Sequence, residues 1–305
     1  MAHSTVTTEL VTYNGWNDCI RMDNGKIQLI VTTEVGPRII HFARKNGSNM
    51  MWQSKDDQGQ KYGDGWRMYG GHRLWHSPQV GTRPNQPDND PVKYEINGAT
   101  VKLTAEAEKA TGLQKAFEIT MHANEPCVTV NHFLINRSLW PIEMAAWPLT
   151  VLVGSGTAVL PVPRNETPDY LPNFMISFWP WMKPNDPRFD IGDKTITVKH
   201  DKTNAKWFKI GVHNPPAWGA YISENNLFVK TMQYDPRATY PDFGANFEVF
   251  ADNQFLELET LSPLQTVAPG DRIEHAEEWV LLECDPALGP DGIEEIARPY
   301  IRKAR

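Results

Sequence analysis

Hydrophobic and polar positions alternate along this chain in short runs. Lys26–Thr32, Arg38–Ala43, Thr100–Ala105, Gln114–Met121 and Cys127–Ile135 are rich in Val, Ile, Leu, Phe and Thr. So are Thr150–Val153, Thr195–Lys199, Gly219–Ile222, Leu227–Lys230, Asn246–Phe250, Phe255–Thr260 and Glu277–Leu282. Turn formers separate them, among them Asn24-Gly25, Asn46-Gly47, Asn97-Gly98, Ser223–Asn226 and Pro269-Gly270. Many short strands with regular breaks predict an all-β sandwich or barrel rather than βαβ units. Helix signals are confined to the C-terminus. There Glu294–Ile301 predicts a short helix, with Asp291 as N-cap and Pro299 limiting its length. No internal repeat or low-complexity tract interrupts the pattern, and residues 1–305 read as one domain.

Two stretches break the alternation. Residues 53–93 are rich in Gly, Pro, Asp and Gln, and residues 161–193 carry seven prolines. Trp66 and Trp75 lie in the first, Trp179 and Trp181 in the second, and large aromatics argue against disorder. Long ordered loops on a rigid scaffold carry function more often than not.

Composition narrows the field. Forty per cent hydrophobic residues, with eleven Trp and twelve Phe, supply a large core. A formal net charge of −7 and no basic stripe exclude nucleic acid as a partner. No run reaches the roughly 18 apolar residues of a membrane helix. The N-terminus Met1–Ser4 opens no signal peptide, so the chain reads as cytoplasmic; a periplasmic or secreted protein without its leader is the alternative. Cys19, Cys127 and Cys284 lack the spacing of a disulfide framework or zinc motif, and Cys127 reads as a buried small apolar residue.

The densest chemistry lies in Tyr69-Gly-Gly-His-Arg-Leu-Trp-His76. In an extended run His72, Leu74 and His76 share one face, and Arg73 and Trp75 the other. An imidazole titrates near neutral pH, a guanidinium grips oxygens bidentately, and an indole offers a flat platform. Together they suit a polar ring such as a sugar. His72 and His76 are candidate acids; a metal use of the pair is disfavoured because Gly70-Gly71 and Pro78 prevent the helix that i, i+4 ligation needs. Neither metal nor cofactor is expected.

The best carboxylate is Glu259, which shares a strand face with Glu257 opposite Leu256 and Leu258. An exposed sheet face is the commoner place for such a pair. Arg38 is either a ligand contact or a structural ion-pair partner. Lys209 and Lys230 lie inside apolar runs and either snorkel outward or point into a polar cleft. Trp179 and Trp181 either stack on sugar rings or anchor their loop, Asp186 reads as a turn residue, and His275 as a surface residue.

The chain resembles the galactose-mutarotase-like, or aldose 1-epimerase-like, superfamily. Phe255–Pro263, Val267–Gly270 and His275–Trp279 resemble its C-terminal strands, and Gly70-Gly71-His72 stands where a His-Gly-Gly segment is frequent. Asn136–Trp140 followed by Ala145–Leu149 resembles its central strand pair. Tyr69–Trp75, Trp179-Pro-Trp181 and Glu257-Leu-Glu-Thr260 together are similar to an uncharacterised branch of it. The resemblance implies a large antiparallel β-supersandwich with few short helices and makes Glu259 the catalytic base. Where its epimerases carry an acid histidine this chain has Trp147, so His72 or His76 has to supply the proton. The implied activity is sugar epimerisation on a hexose or uronic acid. Arg38, Arg73, Trp75, Trp147, Trp179, Trp181, Lys209, Lys230 and Tyr240 are the candidate binding residues and a mono- or oligosaccharide is the partner. A lyase or glycosidase in the same cleft, and a non-catalytic sugar-binding protein, are the alternatives.

Overall fold

The structure, a computed structural model, describes residues 5–163, 172, 174–285 and 288–301. The leader reading concerns residues 1–4, and the proline-rich loop includes 164–171 and 173; both sets lie outside the described residues.

Strands dominate, in chain order β1 (Thr7–Tyr13), β2 (Trp16–Asp23), β3 (Ile27–Thr32), β4 (Arg38–Arg44), β5 (His72–Ser77), β6 (Lys93–Asn97) and β7 (Thr100–Thr104). Next come β8 (Leu113–Met121), β9 (Cys127–Asn136), β10 (Ile142–Val153), β11 (Thr157–Pro161), β12 (Ile176–Phe178), β13 (Phe189–Ile191) and β14 (Thr195–Lys199). The chain continues through β15 (Phe208–Val212), β16 (Trp218–Ser223), β17 (Asn226–Met232), the single turn α1 (Pro241–Gly244) and β18 (Phe247–Ala251). It closes with β19 (Phe255–Thr260), β20 (Gln265–Val267), β21 (Arg272–Glu283) and α2 (Pro290–Ile301). The C-terminal helix therefore begins one residue before Asp291 and runs through Pro299. No helix among the described residues is long and apolar enough to cross a membrane.

The strands form two large sheets with antiparallel pairing. The first runs β1-β2-β3-β4-β5-β10-β19-β18-β15-β12, with β20 beside β10; the second runs β13-β14-β11-β16-β17-β21-β9-β8-β7-β6. Both contribute to one apolar core, where Phe42 of the first sheet meets Phe228 and Trp279 of the second at ring distances of 5.9 and 5.7 Å. Sequence alternation is legible on β21: Ile273, His275, Glu277 and Trp279 point inward and are buried, while Glu274, Ala276 and Glu278 are more open.

On the first sheet the alternation vanishes, because β5 and β19 are buried at every position. Loop chain covers their outer face. The Trp52 amide donates to the Val151 carbonyl of β10, and the Val151 amide donates to Gly71. Gly70 and Gly71 make this docking possible. Both have positive φ, +88° and +69°, and a Cβ would lie 2.1 Å from the Trp52 carbonyl oxygen at Gly70 and 2.2 Å from that of Ile39 at Gly71.

Between the sheets lies a fully buried polar network. His132 Nδ1 faces the His275 carbonyl at 2.8 Å, and a carbonyl only accepts, so this nitrogen carries the proton. The bare Nε2 of His132 then accepts from His72 Nε2 at 2.7 Å. His72 Nδ1 in turn accepts from the Thr150 hydroxyl at 2.9 Å, and Lys230 Nζ donates to Thr150 at 2.6 Å. Lys230 also reaches the Leu258 carbonyl and, at 3.1 Å, Glu277. Glu277 accepts from Thr260 and from Trp279 Nε1, and Thr260 accepts from His275 Nε2. Burial pushes the imidazoles down, to about 4 for His132 and about 3 for His275, so they stay neutral as this proton assignment needs. For Glu277 burial opposes the charge, but Lys230 and the imidazoles outweigh it and its pKa is lowered. His275 is thus a core residue and not a surface one, and Lys230 neither snorkels out nor lines a cleft: both face the other sheet.

Two outcomes follow for stability. Gly71→Ala combines a strained φ with a backbone clash and lowers the unfolding free energy by about 2 kcal/mol or more in urea titration. Lys230→Met leaves the Glu277 charge buried and uncompensated and costs roughly 3–5 kcal/mol by the same measurement; a cost under ~1 kcal/mol would refute the ionised pair.

Candidate functional site

The outer face of the first sheet carries the other concentration of charge. Cross-strand register builds it in ranks. Arg73 on β5 is level with Leu149 on β10, Glu259 on β19 and Glu248 on β18. One step along, Val151, Glu257, Phe250 and Lys209 are level. On the opposite side of the first rank stand Trp75 and Trp147, paired across β5 and β10 with ring centroids 5.4 Å apart. Paired residues share a face and so do i, i+2 neighbours, so one parity delivers three carboxylates, two cations and two indoles to the same surface.

Every charge is anchored. Arg73 donates to Glu257 at 2.9 Å and lies 4.6 Å over the Trp75 ring, while its second terminal nitrogen meets Met68 Sδ. Lys209 Nζ lies 2.7 Å from Glu248 and 3.1 Å from Glu259, between the Trp147 and Trp179 rings at 4.4 and 4.8 Å. Trp147 Nε1 donates to Glu259 Oε2 at 2.6 Å. Glu259 Oε1 and Arg73 Nε, both buried, have no hydrogen-bond partner among the described residues. Trp179 packs over Gly211, where an added Cβ would touch the indole at 3.5 Å and crowd the Ala245 Cβ at 2.9 Å.

These surroundings separate the groups electrostatically. Burial raises Glu257 to about 7; Arg73 opposes the rise and Glu259 adds to it. Burial also raises Glu248 well above the usual carboxylate range, against the pull of Lys209. For Lys209 burial works against the charge, but Glu248 and Glu259 prevail and the ammonium is retained. A carboxyl titrating at neutral pH beside a carboxylate held by two donors is the pattern of a paired acid and base.

The sequence-predicted residues divide among several places. Arg73, Trp75, Trp147, Trp179, Lys209 and Glu259 come together here. His72 and His76 do not: the alternation that exposes Arg73 and Trp75 to this face turns both imidazoles to the other side of the sheet, into the sandwich. His72 is tied to His132 and Thr150 there, and His76 accepts from Arg83 Nε while burial drives its pKa to about 3. A proton from either would have to cross the sheet to serve a substrate at Glu259, so neither replaces the missing acid histidine. Lys230 belongs to the inner network as well. His72, His132 and Glu277 have the donor types of a metal site, but the Lys230 ammonium already supplies the cation.

Arg38 is structural: it binds the Gly70 carbonyl and Asp88, holding the loop that precedes β5. Trp181 stands apart, half exposed against Trp207 at 6.0 Å. Tyr240 packs on Tyr234 beside a cavity lined by His213, remote in its contacts from the charged cluster. Asp186 makes the turn expected of it and clamps Arg188. Contrary to the commoner pattern for a Glu-x-Glu strand, Glu257 and Glu259 are buried, and so is Lys209.

Glu248 escaped sequence reading. Its signal was present, since Phe247-Glu-Val-Phe250 repeats the single-parity glutamate of Phe255–Thr260 and only Asp252–Gln254 separate the two strands, as in a hairpin that sets Glu248 beside Glu259.

No family model matches the sequence, and no curated protein matches it. Solved structures do match. A putative aldose 1-epimerase from Klebsiella pneumoniae aligns over 98% of this chain and 88% of its own, with TM-score 0.60 and 10% identity. A galactose mutarotase-like protein from Lactobacillus casei aligns over 87% of this chain and 100% of its own, with TM-score 0.58 and 10% identity. A TPR-domain containing protein from Parabacteroides distasonis aligns over 88% of this chain with TM-score 0.58 and 16% identity, and this chain spans only 49% of that protein. The two antiparallel sheets and these alignments agree: the chain has the fold of galactose mutarotase-like and aldose 1-epimerase-like proteins.

Proposed function

We propose that the protein interconverts the anomers of an aldose at the outer face of the first sheet, with Glu259 as base and Glu257 as acid. One observation carries this reading. Glu259 is a buried carboxylate with one oxygen fixed by Trp147 and Lys209 and the other free, two residues along the strand from a carboxyl that titrates near 7.

The chemistry balances between the two groups. Glu259 takes the proton from the anomeric hydroxyl, the bond from the anomeric carbon to the ring oxygen breaks, and Glu257 gives its proton to that oxygen. Rotation of the open aldehyde and the reverse transfers close the ring as the other anomer. Arg73 and Lys209 donate to sugar hydroxyls, and Trp75 and Trp147 face the ring's apolar edge. Trp179, which covers Lys209, moves aside to admit the sugar.

A second reading, hydrolysis of an oligosaccharide by the same carboxylates, is favoured by the aromatic row leaving the site. Phe250 lies 6.3 Å from Trp207, and Trp207 lies 6.0 Å from Trp181. Release of reducing ends from oligosaccharides selects it.

Polarimetry on freshly dissolved aldoses checks the first reading. The protein accelerates equilibration above buffer, and Glu259→Gln lowers kcat/KM by about 10²–10⁴-fold. A panel of common aldoses showing no acceleration rules the reading out. Because Glu257 acts in its protonated form, kcat/KM falls tenfold per pH unit above about pH 7. A profile that rises through this range would assign Glu257 the opposite role.

A further inference from the structure

On the outer face of the second sheet, away from both charged clusters, a thiol, an imidazole and a carboxylate converge. Alternation on β21 turns Glu278 outward, opposite to Glu277. Its partner across the pair is Thr129 on β9, and Cys127 lies two residues back on the same face. His122 follows the last residue of β8, and its amide bonds to the Cys127 carbonyl. The β8–β9 turn thereby folds the imidazole back over the strand.

Cys127 Sγ is 3.2 Å from Glu278 Oε2, and His122 Nε2 is 3.7 Å from the same oxygen. The three candidate donor atoms all lie within 4.8 Å of one another. A tetrahedral zinc ion with ordinary Zn–S, Zn–N and Zn–O lengths needs ligand separations of about 3.4–3.6 Å, so Glu278 stands within a few tenths of an ångström of its bonding distance to both the thiol and the imidazole.

We propose that Cys127, His122 and Glu278 form a binding site for a zinc-class divalent cation. Thiolate and carboxylate neutralise the two positive charges in full, and the thiol proton leaves to solvent on binding. A sulfur donor selects zinc over calcium or magnesium, which take oxygen. The His122 and Glu278 side chains are 39% and 31% exposed, so the fourth position faces water, while Cys127 is buried behind them. Thr129 is a positioning residue: its hydroxyl donates to Glu278 Oε1 at 2.5 Å and accepts from His122 Nε2 at 2.9 Å, so it gathers both side chains, and on metal binding the imidazole proton moves to Nδ1 as Nε2 exchanges Thr129 for the cation. The inner His72–His132–Glu277 trio differs on the decisive point, since an ammonium there occupies the place of a cation.

Titrating Co²⁺ into the reduced, chelator-treated full chain tests the site. One equivalent binds with a thiolate-to-cobalt charge-transfer band, and Zn²⁺ displaces it. Cys127→Ser removes the band. His122→Ala, at a half-exposed turn position that the fold does not need, weakens Zn²⁺ binding by ~100-fold or more. Thr129→Val retains the band and weakens binding by about tenfold. Absence of stoichiometric uptake overturns the site. So does a band that survives Cys127→Ser, which would come from Cys19 or Cys284, or affinity unchanged in His122→Ala.

Discussion

The ion pair of Lys230 and Glu277 is the constraint on which the other features depend. It lies at zero exposure on the inner face of the second sheet, formed between the neighbouring strands β17 and β21, and the first sheet completes its hydrogen bonds: Lys230 donates to Thr150 of β10 and to the Leu258 carbonyl of β19, and Thr260 of β19 donates to Glu277. A one-residue slip of any of these strands would turn a partner to the opposite face and leave a charge in the core. Burying such a pair is weak support for stability in itself, because desolvation offsets most of the attraction. Its effect is to make alternative registers far worse than the native one.

That register assigns the faces. Once His72 and Thr150 are bound inward to the network, neighbours of opposite parity on the same strands have to point outward. Arg73, Leu149 and Glu259 are those neighbours, and the pleat lines them up across three strands. The inner network and the outer charged cluster are thus two sides of the same few strands. The inner one is saturated: each proton has one acceptor and the imidazoles stay neutral. The outer one is unfinished, with a free carboxylate oxygen and a free guanidinium nitrogen under a lid of tryptophans. Saturated polar groups hold a structure, whereas unfinished ones have capacity left for a ligand.

The loops complete this division. Gly70 and Gly71 let the chain lie against Trp52 and Ile39 without a Cβ, and Trp66 and Met68 just before them and Trp179 of the other loop pack on Trp75, Arg73 and Lys209. Lys209, Glu248 and Glu257 end up in surroundings where burial and neighbours shift their pKa values. Loop packing, rather than the strands alone, therefore sets the chemistry of this face.

Much of this was legible in the order of residues. Alternating short runs and their turns specified antiparallel strands, and parity alone placed His72 opposite Arg73 and Glu259 beside Glu257. The motifs around Glu259 pointed to the right fold. What parity does not contain is that both faces of β5 and β19 are buried, and on β5 His72, Leu74 and His76 against Arg73 and Trp75 leave the inward face undecided. His72 therefore read as a companion of Glu259 when it is a core residue behind it, and Lys230 and His275 read as outward-facing when they tie the sheets together. His132 and Thr129 acquire their roles from strands distant in sequence, through pairings that no local pattern encodes, and Glu248 meets Lys209 in the same way. Local periodicity thus determined which side chains travel together; the docking of one sheet on the other, through buried hydrogen bonds that need donors and acceptors from both, decided where each set goes.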